Sequence, residues 1–239
     1  MAVDAVNGNG LKTALDTIVA PKAAFESIRV APTWGLAFVI ALAVSTLAAY
    51  LITPALVHAY PGTFAHQVAT DPRLSGMSAD QQHMVMQFGE KGLGFAWVFG
   101  IISTPVVIFF AALVMLIFDK IGHGDGSLMK YWAASSNIAI VGLALAGIIG
   151  ALIIMLRGAG SFDTEQAVQQ AGLSLAMFVP SSQIKLVAFL SAMTPFSLWT
   201  LGLNVAAMRI VGKVGAVSAW LAGLVILLAP AIVAASAAK

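Results

Sequence analysis

The sequence predicts an all-α protein: an integral membrane bundle of five transmembrane helices, with amphipathic helices at the membrane surface. Of its 239 residues, 60% are hydrophobic and only 9% are charged, whereas a water-soluble domain carries roughly 25% charged residues. Five segments reach the roughly 20 apolar residues that a helix needs to cross the hydrocarbon core of a bilayer. No Asp, Glu, Lys or Arg lies deep inside these segments, so lipid is the solvent that suits this composition.

The predicted spans divide the chain into an N-terminal segment and one membrane domain. Residues 1–33 are expected to form a cytoplasmic and interfacial segment, and residues 34–236 the five-span domain. The five spans are Trp34–Val57, Gly94–Phe118, Trp132–Leu156, Leu186–Met208 and Ala216–Ala235. Aromatic rings near span ends are expected at the headgroup level, namely Trp34, Trp97, Tyr131 and Trp132.

Three stretches outside the spans have the apolar periodicity of helices that lie on the membrane surface. The first precedes the first span, with apolar positions at Leu11, Leu15, Ile18, Val19, Phe25 and Ile28, and Pro21 opening its second part. The second has a Ser78–Gln81 capping box followed by Met84, Val85 and Phe88. The third starts at Asp163 and Gln166 and is expected to stop at Pro180, with an apolar face of Val168, Ala171 and Leu175.

Lys and Arg placement predicts that the N-terminus lies inside and the C-terminus outside. The inner segments then carry Lys12, Lys22, Arg29, Lys120, Lys130, Arg209 and Lys213. The outer segments carry Arg73, Lys91, Arg157, Lys185 and Lys239. The inner linkers are short, and short loops weigh most in this rule. The first apolar run begins near Trp34, behind a polar start, so we expect no cleavable signal peptide.

Several classes of function do not suit this composition. The chain has no cysteine, which excludes disulfides, thiol nucleophiles and thiolate metal sites. The net charge is only +2, without a clustered basic patch, so no nucleic-acid partner is expected. The G-x-S-x-G motif of a serine hydrolase does not occur. We therefore expect no enzymatic activity and no cofactor, and the lipid bilayer as the principal partner.

Small residues recur every four positions inside the spans and predict closely packed helices. Examples are Ala37 and Ala41 in the first span, and Gly142 and Ala146 in the third. One such stripe could instead face a second copy, which leaves a homodimer open. Prolines interrupt four spans, at Pro54, Pro105, Pro195 and Pro230. They are typical of kinked packing and also of the broken helices that transporters use.

Polar side chains inside the third and fourth predicted spans form the main candidate site. This polar cluster consists of Ser135, Ser136, Asn137, Ser197, Thr200 and Asn204. Polar groups at membrane depth face the bundle interior or a wet cavity. Asn137 and Asn204 can bond each other as helix-to-helix contacts, or line a polar vestibule. The residues alone leave both interpretations open.

Two further motifs have alternative interpretations. The loop Asp119–Ser127 carries Gly122, Gly124 and Gly126, which suit a plain turn or a backbone nest that holds an anion. It lacks the Lys-Ser/Thr ending of a P-loop. The first outer loop collects imidazole and thioether groups that suit copper or that simply belong to a surface helix: His58, His66, His83, Met84 and Met86.

Three stretches together resemble the YIP (Ypt-interacting protein) family of five-span membrane proteins. Pro21, Phe25 and Ile28 precede the first span. The glycines Gly122, Gly124 and Gly126 lead into the third span. Phe196 and Trp199 form an F-x-x-W pattern in the fourth span, before a basic turn. The resemblance covers residues 15–236 and implies the fold and topology of a bacterial-type member.

The resemblance implies a non-enzymatic, multi-pass protein of the bacterial inner membrane that organises membrane or partner proteins. The long cytosolic N-terminus of eukaryotic relatives, which binds GTPases and vesicle coats, has no counterpart in this sequence. The alternative is a small permease, channel or lipid-moving transporter that uses the polar cluster. These two classes differ in one feature, because a transporter needs a polar path across the bundle and an organising protein does not.

Overall fold

The computed structural model describes residues 9–238 and confirms the all-α class. Helix makes up 84% of the structure. The α-helices follow one another along the chain as α1 Gly10–Val19, α2 Pro21–Val30, α3 Gly35–Thr70, α4 Pro72–Ser75, α5 Ala79–Gly94, α6 Ala96–Ile121, α7 Leu128–Ala139, α8 Ala146–Arg157, α9 Glu165–Ala171, α10 Ile184–Ser191, α11 Pro195–Val211 and α12 Ala216–Ala237. A π-helical segment, Ile140–Leu145, joins α7 to α8.

Within the described residues, four helical stretches are long and apolar enough to cross a membrane. They are Gly35–Thr70, Ala96–Ile121, Leu128–Arg157 and Ala216–Ala237, and a bent pair made of α10 and α11 brings the number to five. The five-span prediction is met when that pair counts as one span. At 1.5 Å per residue, the 36 residues of α3 reach about 54 Å, well beyond the end predicted at Val57.

The fourth span departs from the prediction of one helix over Leu186–Met208. Residues 192–194 break it, and α11 starts at Pro195. Proline lacks the N–H that continues a helix, and it suits the first helical position, where that group has no partner. Pro54, Pro105 and Pro230 instead lie inside α3, α6 and α12, which remain continuous.

The first two predicted surface helices form, and their caps match the sequence. Asn9 caps α1 by accepting hydrogen bonds from the N–H groups of Leu11 and Lys12. The predicted capping box of α5 is present, with Ser78 and Gln81 bonded reciprocally. Both helices expose apolar side chains, a pattern typical of helices at a membrane surface: Leu11, Leu15, Val19, Met84, Val85 and Phe88.

The third surface helix is shorter than predicted at both ends. Thr164, rather than Asp163, caps α9, because its side chain accepts a hydrogen bond from the N–H of Ala167. The helix ends at Ala171, before Gly172 and far short of Pro180. Glycine after a helix favours termination. Leu175 therefore belongs to a separate 3₁₀ turn rather than to this helix.

The chain divides into two compact units. Unit 1 comprises the residues up to Ser45, Ile102–Ala146 and Phe196–Ala229. Its core is formed by large side chains from α2, α6, α7 and α11, with Phe25, Ile28, Met115, Tyr131 and Met208 fully buried. Close packing in this unit uses small residues, because a Cβ on Gly223 would lie 2.7 Å from Leu201 Cδ1.

Unit 2 comprises Thr46–Ile101, Gly147–Pro195 and the residues from Pro230 onward. Its core joins α3, α8 and α9 around the fully buried ring of Phe162. Arg157 lies over that ring, with its guanidinium carbon 5.1 Å from the ring centroid. Small residues again allow close approach, since a Cβ on Gly100 would lie 3.6 Å from the Thr46 Cα.

Candidate functional site

The most elaborate polar arrangement in unit 1 is built around Asp119, near the C-terminal end of α6. Its side chain is fully buried. Its Oδ1 accepts a hydrogen bond of 2.6 Å from the Tyr131 hydroxyl and one of 3.2 Å from the Gly126 N–H. The Lys120 ammonium lies 2.9 Å from Oδ2, at ion-pair distance but out of hydrogen-bond alignment. The same ammonium donates to the Gly126 carbonyl at 2.9 Å.

Four glycines are tightly packed at this site, two of them against the carboxylate itself. Together with Asp119 and Tyr131 they form what we call the glycine clasp: Asp119, Gly122, Gly124, Gly126, Tyr131 and Gly212. A Cβ on Gly126 would lie 2.6 Å from the Tyr131 ring, and one on Gly122 would lie 2.7 Å from Val214 Cγ1. A Cβ on Gly124 or Gly212 would overlap the Asp119 carboxylate. Real Cβ atoms essentially never approach other atoms this closely, so each position requires glycine or a local rearrangement.

Backbone hydrogen bonds hold the loop between α6 and α7 in place and connect it to the turn that follows α11. The Gly124 N–H donates to the Asp119 carbonyl at 2.8 Å, and the Asp125 N–H donates to the Gly212 carbonyl at 3.0 Å. His123 and Lys213 both adopt left-handed backbone conformations, with φ of 54° and 55°. In the anion-nest interpretation, the backbone N–H groups of this loop would bind an anion. The Gly126 N–H donates to a carboxylate of the chain itself, that of Asp119.

The rim of the glycine clasp is electrostatically paired. Lys213 Nζ lies 3.3 Å from Asp125 Oδ2. The hydrogen bond from Lys213 holds the pKa of the Asp125 carboxyl below its usual range, with further help from the charges of Lys213, Arg29 and Lys130. The positive charges of three basic side chains from different segments therefore act on one exposed carboxylate in unit 1.

The residues of the family resemblance converge on unit 1. Pro21 is the first residue of α2, and Phe25 and Ile28 are fully buried in the core that contains Tyr131. Phe196 packs against the same core, whereas the Trp199 side chain is 40% exposed. The motif glycines belong to the clasp. The motif positions thus hold the clasp and its supporting core together, apart from Trp199.

The polar cluster is buried, and the structure assigns partners to part of it. Asn137 Nδ2 donates to the Thr33 carbonyl at 3.0 Å and to the Ala133 carbonyl at 2.8 Å. Ser136 donates to the Trp132 carbonyl one turn earlier in its own helix. Asn137 therefore ties α7 to the segment that enters α3. No hydrogen bond in the described part of the chain joins it to Asn204.

The remaining members of the polar cluster lie on α11, and a π-helical segment approaches one of them. The Thr200 hydroxyl donates to the Ser197 carbonyl at 2.9 Å. A Cβ on Gly142 would lie 2.8 Å from Thr200 Cγ2, so the π-helical segment packs directly on α11. Asn204 is only 4% exposed. The members of the polar cluster thus lie on two helices, three on α7 and three on α11.

Two buried acceptors of the polar cluster have no hydrogen-bond partner among the described residues. They are Ser135 Oγ and Asn137 Oδ1. An unmet polar atom in a buried setting costs roughly 1–3 kcal/mol. π-helical segments often occur at functional sites, and Ile140–Leu145 begins three residues after Asn137. Hydrogen bonds within the described residues therefore leave these two atoms unaccounted for.

The imidazole and thioether groups of the first outer loop are only partly brought together. His83 and Met86 line one shallow cavity of about 370 Å³ with residues of α3. His58, His66 and Met84 are outside that lining. Within the residues that the structure describes, no group of three or more His, Cys, Asp or Glu is placed to hold a metal ion. The copper interpretation gains no geometric support.

No protein-family model, no curated protein and no solved structure matches the chain.

The sequence alone does not reveal the roles of two carboxylates, Asp119 and Glu165. Asp119 is expected at the edge of a span, and Tyr131 is expected at the level of the lipid headgroups. In the structure both side chains are fully buried and are hydrogen-bonded to each other. Their twelve-residue separation across a glycine-rich loop is the signal that pairs them. Glu165 lies in the third surface helix and lines a cavity of about 490 Å³; nothing in its local sequence distinguishes it from a solvated helix start.

Proposed function

We propose that the chain is a non-enzymatic, multi-pass protein of a bacterial inner membrane that organises membrane or partner proteins, as its resemblance to the YIP family implies. The N-terminus is cytoplasmic and the C-terminus lies outside. The proposal concerns a structural role, in which the helices present fixed surfaces to lipid and to other proteins. It invokes no reaction and no cofactor.

One observation carries the proposal: the buried Asp119 carboxylate is occupied by its own chain. Tyr131 and the Gly126 N–H bond one of its oxygens, and Lys120 lies beside the other. A catalytic or proton-carrying carboxylate needs access to substrate or to water. The Asp119 side chain has neither, because it is fully buried. Its geometry suits holding helices together.

The placement of basic residues supports the proposed orientation. Arg29, Lys130 and Lys213 all act on the charge of Asp125, so they gather at the clasp end of unit 1. Cytoplasmic loops carry an excess of Lys and Arg. The clasp is accordingly assigned to the cytoplasmic face.

A second candidate function rests on the two unpartnered acceptors of the polar cluster. Ser135 Oγ and Asn137 Oδ1 are buried without a hydrogen-bond partner among the described residues, near the end of α7 that leads into the π-helical segment. Unsatisfied acceptors at membrane depth are what a permease, channel or lipid-moving protein presents to a polar solute. This candidate requires that the acceptors face a passage.

Reconstitution into liposomes separates the two functions. Ion, small-solute and fluorescent-lipid flux is measured for the wild type, for empty vesicles and for an Asn137→Leu/Asn204→Leu double variant, with vesicle shape recorded by electron microscopy. The organising role predicts flux at the empty-vesicle level together with altered vesicle size or protein-dependent clustering. Flux that the double variant abolishes would replace the proposal with transport, and unaltered vesicles without flux would also count against it.

A further inference from the structure

A cavity of about 490 Å³ lies within unit 2, whereas the glycine clasp and the polar cluster belong to unit 1. Helices α3, α9, α10 and α12 line it. Its volume falls within the range of roughly 300–1,000 Å³ that small-molecule sites occupy. Its polar wall is formed by Gln67, Glu165, Gln166 and Gln169, and its apolar wall includes Ile184 and Ala188.

The position of Glu165 in this cavity is fixed by contacts of its backbone. The Glu165 N–H donates to the Thr63 hydroxyl at 2.9 Å, and Thr63 is only 3% exposed. The Thr63 hydroxyl in turn donates to the Ala59 carbonyl at 3.3 Å. A Cβ on Gly62 would overlap the Asp163 carbonyl, so α3 and the start of α9 are in direct contact. The backbone of Glu165 is therefore held against α3, which also lines the cavity.

The charge of Glu165 lacks a counterion among the described residues. No ion pair to it occurs there, and Arg157 of the same unit lies over the Phe162 ring. Burial raises the pKa of the Glu165 carboxyl above its ordinary value. Gln67, Gln166 and Gln169 line the same cavity. Their side-chain carboxamides form no hydrogen bond with any of the described residues. A partly desolvated carboxylate in a cavity that three carboxamides also line favours a positively charged guest.

We propose that this cavity binds an organic ammonium group, with Glu165 as its counterion and the glutamine amides as hydrogen-bond acceptors. The Ile184 and Ala188 wall suits the methylenes attached to the nitrogen. The same ammonium chemistry occurs on free alkylamines and on ethanolamine lipid headgroups. The inference goes beyond the organising role and does not depend on it, because the cavity lies wholly in unit 2.

The test uses the full chain in nanodiscs of phosphatidylglycerol, a lipid without an ammonium group. In the free arm, butylammonium is titrated by calorimetry, with butanol as the neutral analogue of equal size. In the lipid arm, phosphatidylethanolamine is added to the discs and its retention on the purified protein is measured. Saturable binding in either arm supports the site, and the arm that binds identifies the source of the ammonium group.

Three variants assign the binding to Glu165 and its cavity. Glu165→Gln keeps the shape and removes the charge, and we expect at least a tenfold loss of affinity. Ala188→Trp fills the cavity with the charge retained, and binding is expected to disappear. Asp80→Asn removes an exposed carboxylate of α5 outside this cavity and is expected to bind like the wild type.

Two results would overturn the proposal. One is the absence of saturable binding in both arms while the melting curve of the wild type shows a folded protein. The other is binding that Glu165→Gln leaves unchanged, or butanol binding as tight as that of butylammonium. Since Glu165→Gln removes a partly buried charge, its folding is expected to be intact, which keeps the comparison interpretable.

Discussion

The Tyr131 hydroxyl donates a hydrogen bond of 2.6 Å to the Asp119 carboxylate, and both side chains are fully buried. The bond joins the end of α6 to the start of α7, across the loop that carries three of the clasp glycines. Hydrogen bonds to charged groups contribute more than neutral ones. Of the contacts in unit 1, we therefore expect the loss of this hydrogen bond to lower the free energy of unfolding most per atom removed.

Tyr131→Phe removes one oxygen from the clasp and leaves the ring in place. We expect the free energy of unfolding to fall by about 1.5–3 kcal/mol, because a buried carboxylate loses a donor. Tryptophan fluorescence during denaturant titration in detergent measures this change. Tyr50→Phe is the matched control, since the Tyr50 side chain is 59% exposed. Equal stability of the two variants would contradict the role given to the bond.

Gly212→Ala tests the close packing of the clasp. The new methyl group would overlap the Tyr131 hydroxyl and the Asp119 carboxylate, and overpacking of this kind costs about 1–3 kcal/mol. Gly215→Ala, three residues on, is the control, because nothing lies within 4 Å of its Cβ position. Thermal melting in detergent should show a lower midpoint for the first variant alone. A control that melts as early as Gly212→Ala would point to a backbone effect instead.

Asn137→Leu tests the tie between α7 and the segment before α3. The Thr33 carbonyl would lose its donor at 3.0 Å, and we expect a loss of about 1–3 kcal/mol in the free energy of unfolding. Ser136→Ala is the neighbouring control. Its hydroxyl bonds only a carbonyl of its own helix, one turn away. Should both variants unfold alike, the bond to Thr33 would have no special weight.

Glu165→Gln tests the burial of the cavity carboxylate through the pH dependence of stability. Burial raises the pKa of Glu165 in the folded state, so the folded protein binds a proton more readily than the unfolded chain. Its favourable contribution is present below the unfolded pKa, near 4.5, and is lost as the pH rises through the folded pKa.

The wild type should therefore gain melting temperature, relative to Glu165→Gln, as the pH falls from 8 towards 4.5. At the upper end of that range the variant should be the more stable protein, because it does not bury a charge. Melting curves collected across this range provide the measurement. Parallel pH profiles for the two proteins would show that the carboxylate is solvated.

The helices were predictable from the sequence because long apolar runs leave few alternatives. The capping box at Ser78 and Gln81 is likewise a local signal, and it is present. Pro195 predicts an interruption of the fourth span, but the position of the break depends on how residues 192–194 pack. The prediction that α9 continues to Pro180 is wrong, because the helix already ends at Ala171, before Gly172.

The candidate site was predictable only in part, since its decisive contacts link distant residues. The burial of Ser135, Ser136, Asn137 and Asn204 agrees with their expected place in the bundle. The partner of Asn137 could not be predicted, because Thr33 is 104 residues away and accepts through its backbone. The glycines of the loop are recognisable as a motif in the sequence. Only the structure shows that the Gly126 N–H donates to Asp119.

The central claim is that the buried polar groups hold the bundle together and face no water-filled passage. The chain has no cysteine, so single cysteines can be placed at Asn137→Cys and Asn204→Cys, with Asp125→Cys as the exposed reference. Each is treated in liposomes with a membrane-impermeant maleimide, before and after denaturation. The account predicts labelling of the reference alone until the protein is denatured. Labelling of the two buried positions in the folded protein, at the rate of the reference, would contradict it.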